Sequence, residues 1–227
     1  MKVIIFGATG MVGQGVLLEC LDDLSITSVL AVGRRPRGRT HPTLREIVHR
    51  DFLDYSTIEG ALRGYDACFF CLGVSAAGMS EQEYHRLTFA VTLRAAETLA
   101  RLNPAMTFCY VSGAGTDSSE RGRSMWARVK GKTENHLMRL PFKATYMFRP
   151  GYIQPMRGVT SGTRLYRVVY AVLGPLYPVL KTLFPSAVTT TERVGRAMIA
   201  VARHGYARRL LENQDINALA VPALHSA

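Results

Sequence analysis

The feature that most constrains this chain is a short apolar strand that runs straight into a glycine-spaced turn and then a helix. The sequence MKVIIFGATGMVG places three glycines at a G-x-x-G-x-x-G spacing. Such glycines permit a tight turn, close approach of the backbone to a pyrophosphate, and tight packing of helix on strand. The helix N-terminus then offers free N–H groups to phosphates. The pattern therefore predicts a dinucleotide-binding loop, with a purely structural turn as the alternative. Its residues are Gly7, Thr9, Gly10, Met11, Val12 and Gly13.

Short apolar runs alternate with amphipathic segments along most of the chain. Strands are predicted at Lys2–Phe6, Ser28–Val32, Leu44–His49, Ala67–Cys71, Met106–Ser112, Thr145–Arg149 and Arg208–Glu212. Helices are predicted at Val12–Leu21, Glu81–Leu102, Met125–Leu140 and Glu192–Arg203. This alternation is typical of a parallel sheet with helices on both faces. The predicted fold is α/β: a Rossmann-type doubly wound parallel sheet with a small helical C-terminal cap, forming one NAD(P)-binding domain over 1–227.

The stretch from 150 to 190 is expected to form that cap on the substrate side. Within it, RLYRVVYAVLGPLYPVLKTLF (164–184) is apolar but carries charged residues and is interrupted by Pro175 and Pro178. A proline-broken, charged segment is a poor bilayer span. A helical cap is the simpler interpretation, and a lid over a greasy substrate or a peripheral membrane contact are the alternatives.

Composition excludes several function classes. With 48% hydrophobic and 20% charged residues the chain is an ordinary globular protein. The net charge of +11 is spread along the chain without a known nucleic-acid-binding motif, so nucleic acid is not an expected partner. Cys68 and Cys71 lie in an apolar strand, where residues three apart face opposite ways, so neither a metal nor a redox site is expected. The apolar N-terminus is too short for a signal peptide, and a cytoplasmic location is predicted.

The second strand ends in AVGRRPRGR, which bears on cofactor choice. An acidic residue near this point binds the ribose 2′-hydroxyl of NAD, whereas arginine accommodates a 2′-phosphate. Arg34 and Arg35 stand here, and guanidinium groups suit phosphate geometry, so NADP(H) is favoured over NAD(H). The basic cluster is thereby assigned to the cofactor. Asp51 and Phe52 are expected near the adenine, with Leu72 and Gly73 along the cofactor backbone.

Taken in order, the motifs GATGMVG, CLG, YVSGAG, V-K-G and FRPG resemble the short-chain dehydrogenase/reductase superfamily. The closer likeness is to its atypical or extended branch, the NAD(P)-binding epimerase/dehydratase-like proteins of the TIP30-like group. The resemblance implies that Ser112 polarises a substrate oxygen, that Lys130 binds the nicotinamide ribose and that Pro150 lies beside the cofactor. It also places Trp126 where the superfamily has its proton-donating tyrosine. Indole has no accessible pKa, so Trp126 cannot act as that donor.

Three functions follow from this departure. The first is an NADP(H)-dependent oxidoreductase acting on a small hydrophobic carbonyl or a similar acceptor. Its proton would come from solvent or from a loop residue, with Ser112, Asp117 and Tyr152 as candidates. The second is a non-catalytic NADP(H)-binding redox sensor, and the third, less favoured, is a nucleotide-sugar epimerase or dehydratase. Trp126 either lines the cleft or packs on the cap. The sequence also leaves room for a homodimer.

Overall fold

Seven parallel strands form the central sheet of this computed structural model, which describes residues 1–36, 38–159 and 177–221. The strands in chain order are β1 (Lys2–Phe6), β2 (Ser28–Gly33), β3 (Leu44–Val48), β4 (Ala67–Phe70), β5 (Thr107–Val111), β6 (Ala144–Arg149) and β9 (Leu210–Glu212). Their order across the sheet is β3-β2-β1-β4-β5-β6-β9. The chain reverses direction across the sheet between β1 and β4, which is the switch point where open α/β sheets bind ligands.

Helices cover both faces of this sheet. They are α1 (Met11–Asp22), α2 (Glu81–His85), α3 (Val91–Leu102), α4 (Met125–Leu137), α5 (Tyr177–Leu183), α6 (Thr191–His204) and α7 (Asn213–Leu219). A π-helical turn at Arg86–Ala90 joins α2 to α3, and a 3-10 helix spans Ser56–Leu62. The predicted long helix from Glu81 to Leu102 is therefore present, with a widened turn inside it. The doubly wound α/β fold is confirmed.

Alternate strand residues supply two separate cores. On one face Ile5, Phe69 and Phe148 pack with α1 and α6. On the other face Phe6, Phe70 and Phe108 pack with α3. Cys68 belongs to the second core while Cys71 packs against the first, so the predicted opposite orientation of the two thiols is confirmed.

Sequence patterning located the long helices and every strand of the main sheet but missed several short elements. The predicted boundaries of the located elements agree with the observed ones or differ from them by up to three residues. The missed elements are the Ser56–Leu62 helix, α7, and a two-stranded parallel sheet formed by β7 (Tyr152–Gln154) and β8 (Val188–Thr190). Because β7 and β8 lie inside 150–190, the described part of that segment is not wholly helical. Most of the 164–184 stretch lies outside the described residues, and no helix among those described is long and apolar enough to cross a membrane.

Candidate functional site: a nucleotide cleft at the carboxyl edge of the sheet

The glycine loop after β1 is shaped by two glycines that the fold itself requires. Gly7 has φ of 79°, and a Cβ placed on it would lie 2.6 Å from the backbone nitrogen of Leu72. A Cβ on Gly13 would lie 2.2 Å from the Gly7 carbonyl oxygen. Real Cβ atoms do not approach backbone this closely. Gly7 and Gly13 therefore hold the turn tight against both the helix and the strand β4 side of the cleft.

Gly10 has a different role, since a Cβ added there would meet a single atom within 4 Å. A Cβ on Gly10 would contact only the Gly7 carbonyl oxygen, at 3.4 Å, and the Gly10 N–H donates to that same oxygen at 2.9 Å. Gly10 is also exposed, as is the neighbouring Thr9. This is the place where a ligand can approach the backbone closely.

The first turn of α1 is left without a side-chain cap. Ser80 Oγ accepts the Glu83 N–H at the start of α2, and Thr190 Oγ1 accepts the Arg193 N–H at the start of α6. In contrast, α1 has Gly10 as its N-cap residue, with no side-chain cap and no acidic residue in its first turn. Uncapped N–H groups with a partial positive charge suit an anionic group. Across the cleft, a Cβ on Gly73 would meet no atom within 4 Å. The residues present thus fit a dinucleotide pyrophosphate.

The residues predicted around the adenosine end lie at the same edge of the sheet. Arg34 and Arg35 follow β2 directly and are exposed. Asp51 is exposed, and its carboxylate accepts the Leu53 N–H at 2.9 Å. Phe52 is a core residue, since its ring lies edge-on to that of Phe6 at 6.3 Å. Its direct role is therefore packing beneath the cleft.

Ser112 and Lys130 come together as the motif spacing implied. Ser112 is buried just after β5, and its hydroxyl donates to the Phe148 carbonyl at 3.0 Å. The Lys130 ammonium, half-buried on α4, donates to the Ser112 carbonyl. Burial lowers the pKa of Lys130 to about 8, while the carboxylate of Glu134 opposes that shift. The cleft therefore holds an amine that titrates close to neutrality.

Trp126 lies one helical turn before Lys130, with its indole against the loop that follows β5. A Cβ on Gly115, whose φ is 84°, would be 3.5 Å from Cη2 of the indole. The half-buried ring thus packs on the same loop that carries Ser112. The alternative contact with the cap would involve 160–176, which lies outside the described residues.

The loop candidates for proton donation are held by other bonds. The Asp117 carboxylate accepts hydrogen bonds from Ser119 and from the Gly122 N–H, and these bonds lower its pKa. A carboxyl that stays ionised is a weak proton donor. The Tyr152 hydroxyl donates to Gln154 Oε1 at 2.9 Å, and burial raises its pKa.

Sequence reasoning missed a charged network beneath this site. Glu134 is fully buried on α4 and pairs with Arg149 at the end of β6. Arg149 directly precedes Pro150, which is buried and whose carbonyl accepts the Ala114 N–H at 2.9 Å. The signal was present, because Glu134 follows Lys130 by four residues on one helix face and Arg149 is the arginine of FRPG.

Comparison with known proteins places this geometry in a family. The chain is 28% identical over 155 residues to protein HTATIP2 of Rattus norvegicus, covering 67% of this chain and 62% of that protein. It is 29% identical over 158 residues to the mitochondrial protein FMP52 of Eremothecium gossypii, covering 67% of this chain and 66% of that protein. The matches span less than two thirds of either relative.

A solved structure shares the fold across nearly the whole chain. The enzyme WbmF of Bordetella bronchiseptica, solved in complex with NAD+, superposes with a TM-score of 0.67 at 18% identity. The likeness covers 96% of this chain and 76% of WbmF. The sequence model of the NAD dependent epimerase/dehydratase family matches residues 3–121, just over half of the chain, including the whole glycine loop. The chain therefore belongs to the NAD dependent epimerase/dehydratase family.

Proposed function

We propose that this protein binds NADP(H) and reduces a small hydrophobic carbonyl or a similar acceptor without the usual tyrosine. The observation that carries the proposal is the cofactor side of the cleft: an uncapped α1 N-terminus behind open Gly10, followed along the sheet edge by Arg34 and Arg35. No acidic residue follows β2 directly. Guanidinium groups bind a 2′-phosphate in two-pronged fashion, which favours NADP(H) over NAD(H).

The chain's own residues position the acceptor and the proton source, and a nicotinamide held in this cleft would supply the hydride. Lys130 binds the ribose from α4, while Ser112 on the loop after β5 and Trp126 on α4 enclose the acceptor. The Ser112 hydroxyl already donates to the Phe148 carbonyl, so it orients an acceptor only by exchanging that bond. The Lys130 ammonium, with its pKa near 8, or water provides the proton. Acceptors whose reduced anion is stable near neutral pH need the least help and suit such a site.

A competition between cofactors tests the proposal. Loss of a charge-assisted phosphate contact costs roughly 1.5–3 kcal/mol. We therefore expect Arg34→Ala and Arg35→Ala to weaken NADPH binding about tenfold or more in calorimetry, with NADH affinity almost unchanged. Arg203→Ala is the matched control, because this exposed arginine lies in the last turn of α6, at the opposite edge of the sheet. Equal affinities of the unmutated protein for NADPH and NADH would refute the NADP(H) assignment.

The alternative is a non-catalytic NADP(H)-binding redox sensor. The presence of Trp126 at the tyrosine position favours it, as does the commitment of Asp117 and Tyr152 to other hydrogen bonds. Single-turnover mixing with NADPH and a panel of hydrophobic aldehydes, ketones and quinones separates the two. Oxidation of NADPH with any acceptor supports the enzyme, whereas tight binding without oxidation supports the sensor. A nucleotide-sugar epimerase or dehydratase stands third, since that chemistry normally relies on the tyrosine that is absent here.

Location and partners remain proposals as well. We propose a cytoplasmic protein that does not bind nucleic acid and is able to form a homodimer or touch a membrane surface peripherally. The FMP52 relative from Eremothecium gossypii is a mitochondrial protein by name, so a mitochondrial location is the alternative that the same experiment tests. Cell fractionation and light scattering of the purified chain test these points directly.

A further inference from the structure

A buried ion pair lies directly behind the cleft. The Glu134 side chain has no solvent exposure, and that of Arg149 is 11% exposed. Arg149 Nε donates to Glu134 Oε1 at 3.1 Å and Arg149 Nη2 donates to Oε2 at 2.5 Å, so the pair is bidentate. A buried ion pair stabilises a fold little better than a well-packed apolar pair of the same size. Its presence here therefore calls for a reason other than packing.

Arg149 joins two further parts of the molecule to this pair. Its Nη2 donates to the hydroxyl of Ser118 at 2.6 Å, in the loop after β5. Its Nη1 donates to Glu212 at 3.3 Å, at the end of β9. One guanidinium thus ties β6 to α4, to the loop and to β9. The fork geometry of arginine makes such a junction rigid in a way that lysine cannot.

The loop after β5 is pressed onto α4 at the same place. A Cβ on Gly131 would lie only 1.8 Å from the Asp117 carbonyl oxygen, so the loop backbone rests on this glycine. The Asn135 amide donates to the Ser118 carbonyl at 3.0 Å. The Asp117 N–H donates to the Ala127 carbonyl at 3.1 Å. The V-K-G sequence therefore combines the ribose-binding lysine with the contact point of the loop.

Lys130 is connected to both the pair and the loop. Its ammonium donates to the Ser112 carbonyl at the start of the loop, and Glu134 lies one turn further along α4. We propose that Glu134 and Arg149 are positioning residues. Their buried ion pair keeps Lys130 charged, and it holds Lys130 and the loop after β5 in the positions from which they contact the cofactor. The consequence for the cofactor rests on the proposed function, whereas the effect on Lys130 does not.

The charges around the pair determine in which direction the pKa of Lys130 moves when the pair is removed. Among the described residues, the titratable or charged groups that interact with Glu134 or Arg149 are Lys130 on α4, Tyr110 on β5 and Glu212 on β9. Glu134 raises the pKa of Lys130 against burial. The pKa of Tyr110 is raised, first by burial, so this phenol stays neutral. Removing the Glu134 charge therefore leaves burial unopposed and shifts Lys130 towards its neutral form.

Variants of Glu134 and Arg149 distinguish a positioning role of the ion pair from a role in packing alone. Glu134→Gln keeps the shape and removes the charge, but it leaves the Arg149 guanidinium buried with only the exposed Glu212 as a charged partner. Such an uncompensated charge can prevent folding. The double variant Glu134→Leu with Arg149→Met removes both charges and is expected to fold. Glu81→Gln is the matched control. Glu81 on α2 pairs with Arg128, which lies on the more exposed side of α4, so this variant removes a carboxylate near α4 without touching the buried pair.

The first measurement observes Lys130 directly. The chain has five lysines: Lys2, Lys130, Lys132, Lys143 and Lys181. Carbon-13 labelling at lysine Cε gives a resolvable spectrum, and Lys130→Arg assigns the signal of interest. In the cofactor-free protein we expect the titration midpoint of Lys130 to fall by roughly one pH unit in the double variant, and in Glu134→Gln where it folds. Glu81→Gln should leave the midpoint unchanged.

The second measurement is the NADPH dissociation constant near neutral pH. We expect about twofold weaker binding in the double variant at pH 7 and about fivefold weaker binding at pH 8, because less Lys130 is protonated there. A double variant with an unchanged Lys130 midpoint and unchanged NADPH affinity overturns the proposal and leaves the pair a packing feature. If the unmutated protein fails to bind NADPH at all, the proposed function is refuted, while the Lys130 midpoint still decides whether the pair positions it.

Discussion

The two sides of the cleft are built by opposite means. On the cofactor side, the turn from β1 to α1 is held by backbone against backbone, and Gly7 and Gly13 are needed because any side chain would strike the chain itself. On the other side, α4 and the loop after β5 are held by a buried charged network centred on Arg149. The family match covers the first side and ends at residue 121, before α4 begins.

This difference indicates which side of the cleft can change with the chemistry and which side need not. A phosphate-binding turn made of backbone serves any chemistry, so the same loop suits many enzymes. In the proposed function the α4 side determines what happens to the substrate, and the resemblance to the short-chain dehydrogenase/reductase superfamily places Trp126 at the position of its proton donor. The molecule thus retains a conventional cofactor side beside an altered reaction side.

The largest effect is expected from the glycine loop. Gly13→Ala would bring a Cβ within 2.2 Å of the Gly7 carbonyl, so we expect it to disrupt the loop and lower the melting temperature. Gly10→Val should leave the fold intact, because a Cβ on Gly10 would meet a single atom within 4 Å, yet block the pyrophosphate. Since several charge-assisted hydrogen bonds are lost, NADPH affinity should fall by at least about a hundredfold.

Calorimetry and thermal unfolding, measured on both variants, distinguish these outcomes. Gly60→Ala provides the control, since a Cβ there would meet no atom within 4 Å. Retained NADPH binding by Gly10→Val would show that the loop is only a structural turn. The contrast between the two sides would then lose its basis.

The second effect concerns the missing tyrosine. Trp126→Tyr restores a phenol one turn before Lys130, whose positive charge lowers the pKa of a neighbouring phenol. General acid catalysis typically contributes 10²–10⁴-fold, so we expect up to about a hundredfold gain in the reduction of small aldehydes or ketones by NADPH. Trp126→Phe is the matched control, because it makes the same change in ring size without the hydroxyl. An equal gain in both variants would assign the effect to space rather than to the proton.

The single tryptophan also reports on the cofactor in the unmutated protein. If the indole lines the cleft beside Lys130, saturating NADPH should quench or shift its fluorescence, and the chain has one tryptophan to observe. Fluorescence that does not respond to NADPH would place the ring away from the nicotinamide end. Packing on the cap would then be the better interpretation of Trp126.

The sequence predicted the parts of this site that depend on local contacts and missed most of those that depend on contacts between distant residues. The glycine spacing was readable because it encodes local backbone geometry within seven residues, and the hydrophobic periodicity located every strand of the main sheet. The Arg149 network left only local hints in the sequence, the Lys130–Glu134 spacing and the FRPG motif, because its bonds join residues 15, 31 and 63 positions apart. The short strands β7 and β8 were missed for a related reason: their pairing is set by tertiary packing rather than by a local sequence pattern.

A smaller effect is expected where the loop rests on α4. Gly131→Ala would place a Cβ 1.8 Å from the Asp117 carbonyl, so the loop must move away from the helix. Because Ser112 and Lys130 meet through this loop, we expect roughly tenfold weaker NADPH binding, equal to the loss of about one charge-assisted hydrogen bond. Native-state hydrogen exchange should show faster exchange at Asp117 and little change at Gly10. Unchanged affinity would mean that the loop position does not matter for the cofactor.

The smallest effect is a pH dependence that arises from Lys130. Its pKa in the free protein is about 8, and the phosphates of a bound cofactor favour the charged form, so binding raises that pKa. Affinity contributed by the ammonium is therefore fully present at pH values below 8 and is lost as the pH rises through the pKa of the complex. We expect NADPH to bind about fivefold more weakly near pH 9 than near pH 7, since one linked proton limits the change to tenfold per pH unit. The cofactor phosphates are already ionised across this range, and Lys130→Arg, which stays charged, should give a flat profile. A profile that falls equally in Lys130→Arg would place the titrating group elsewhere and remove the amine from the binding step.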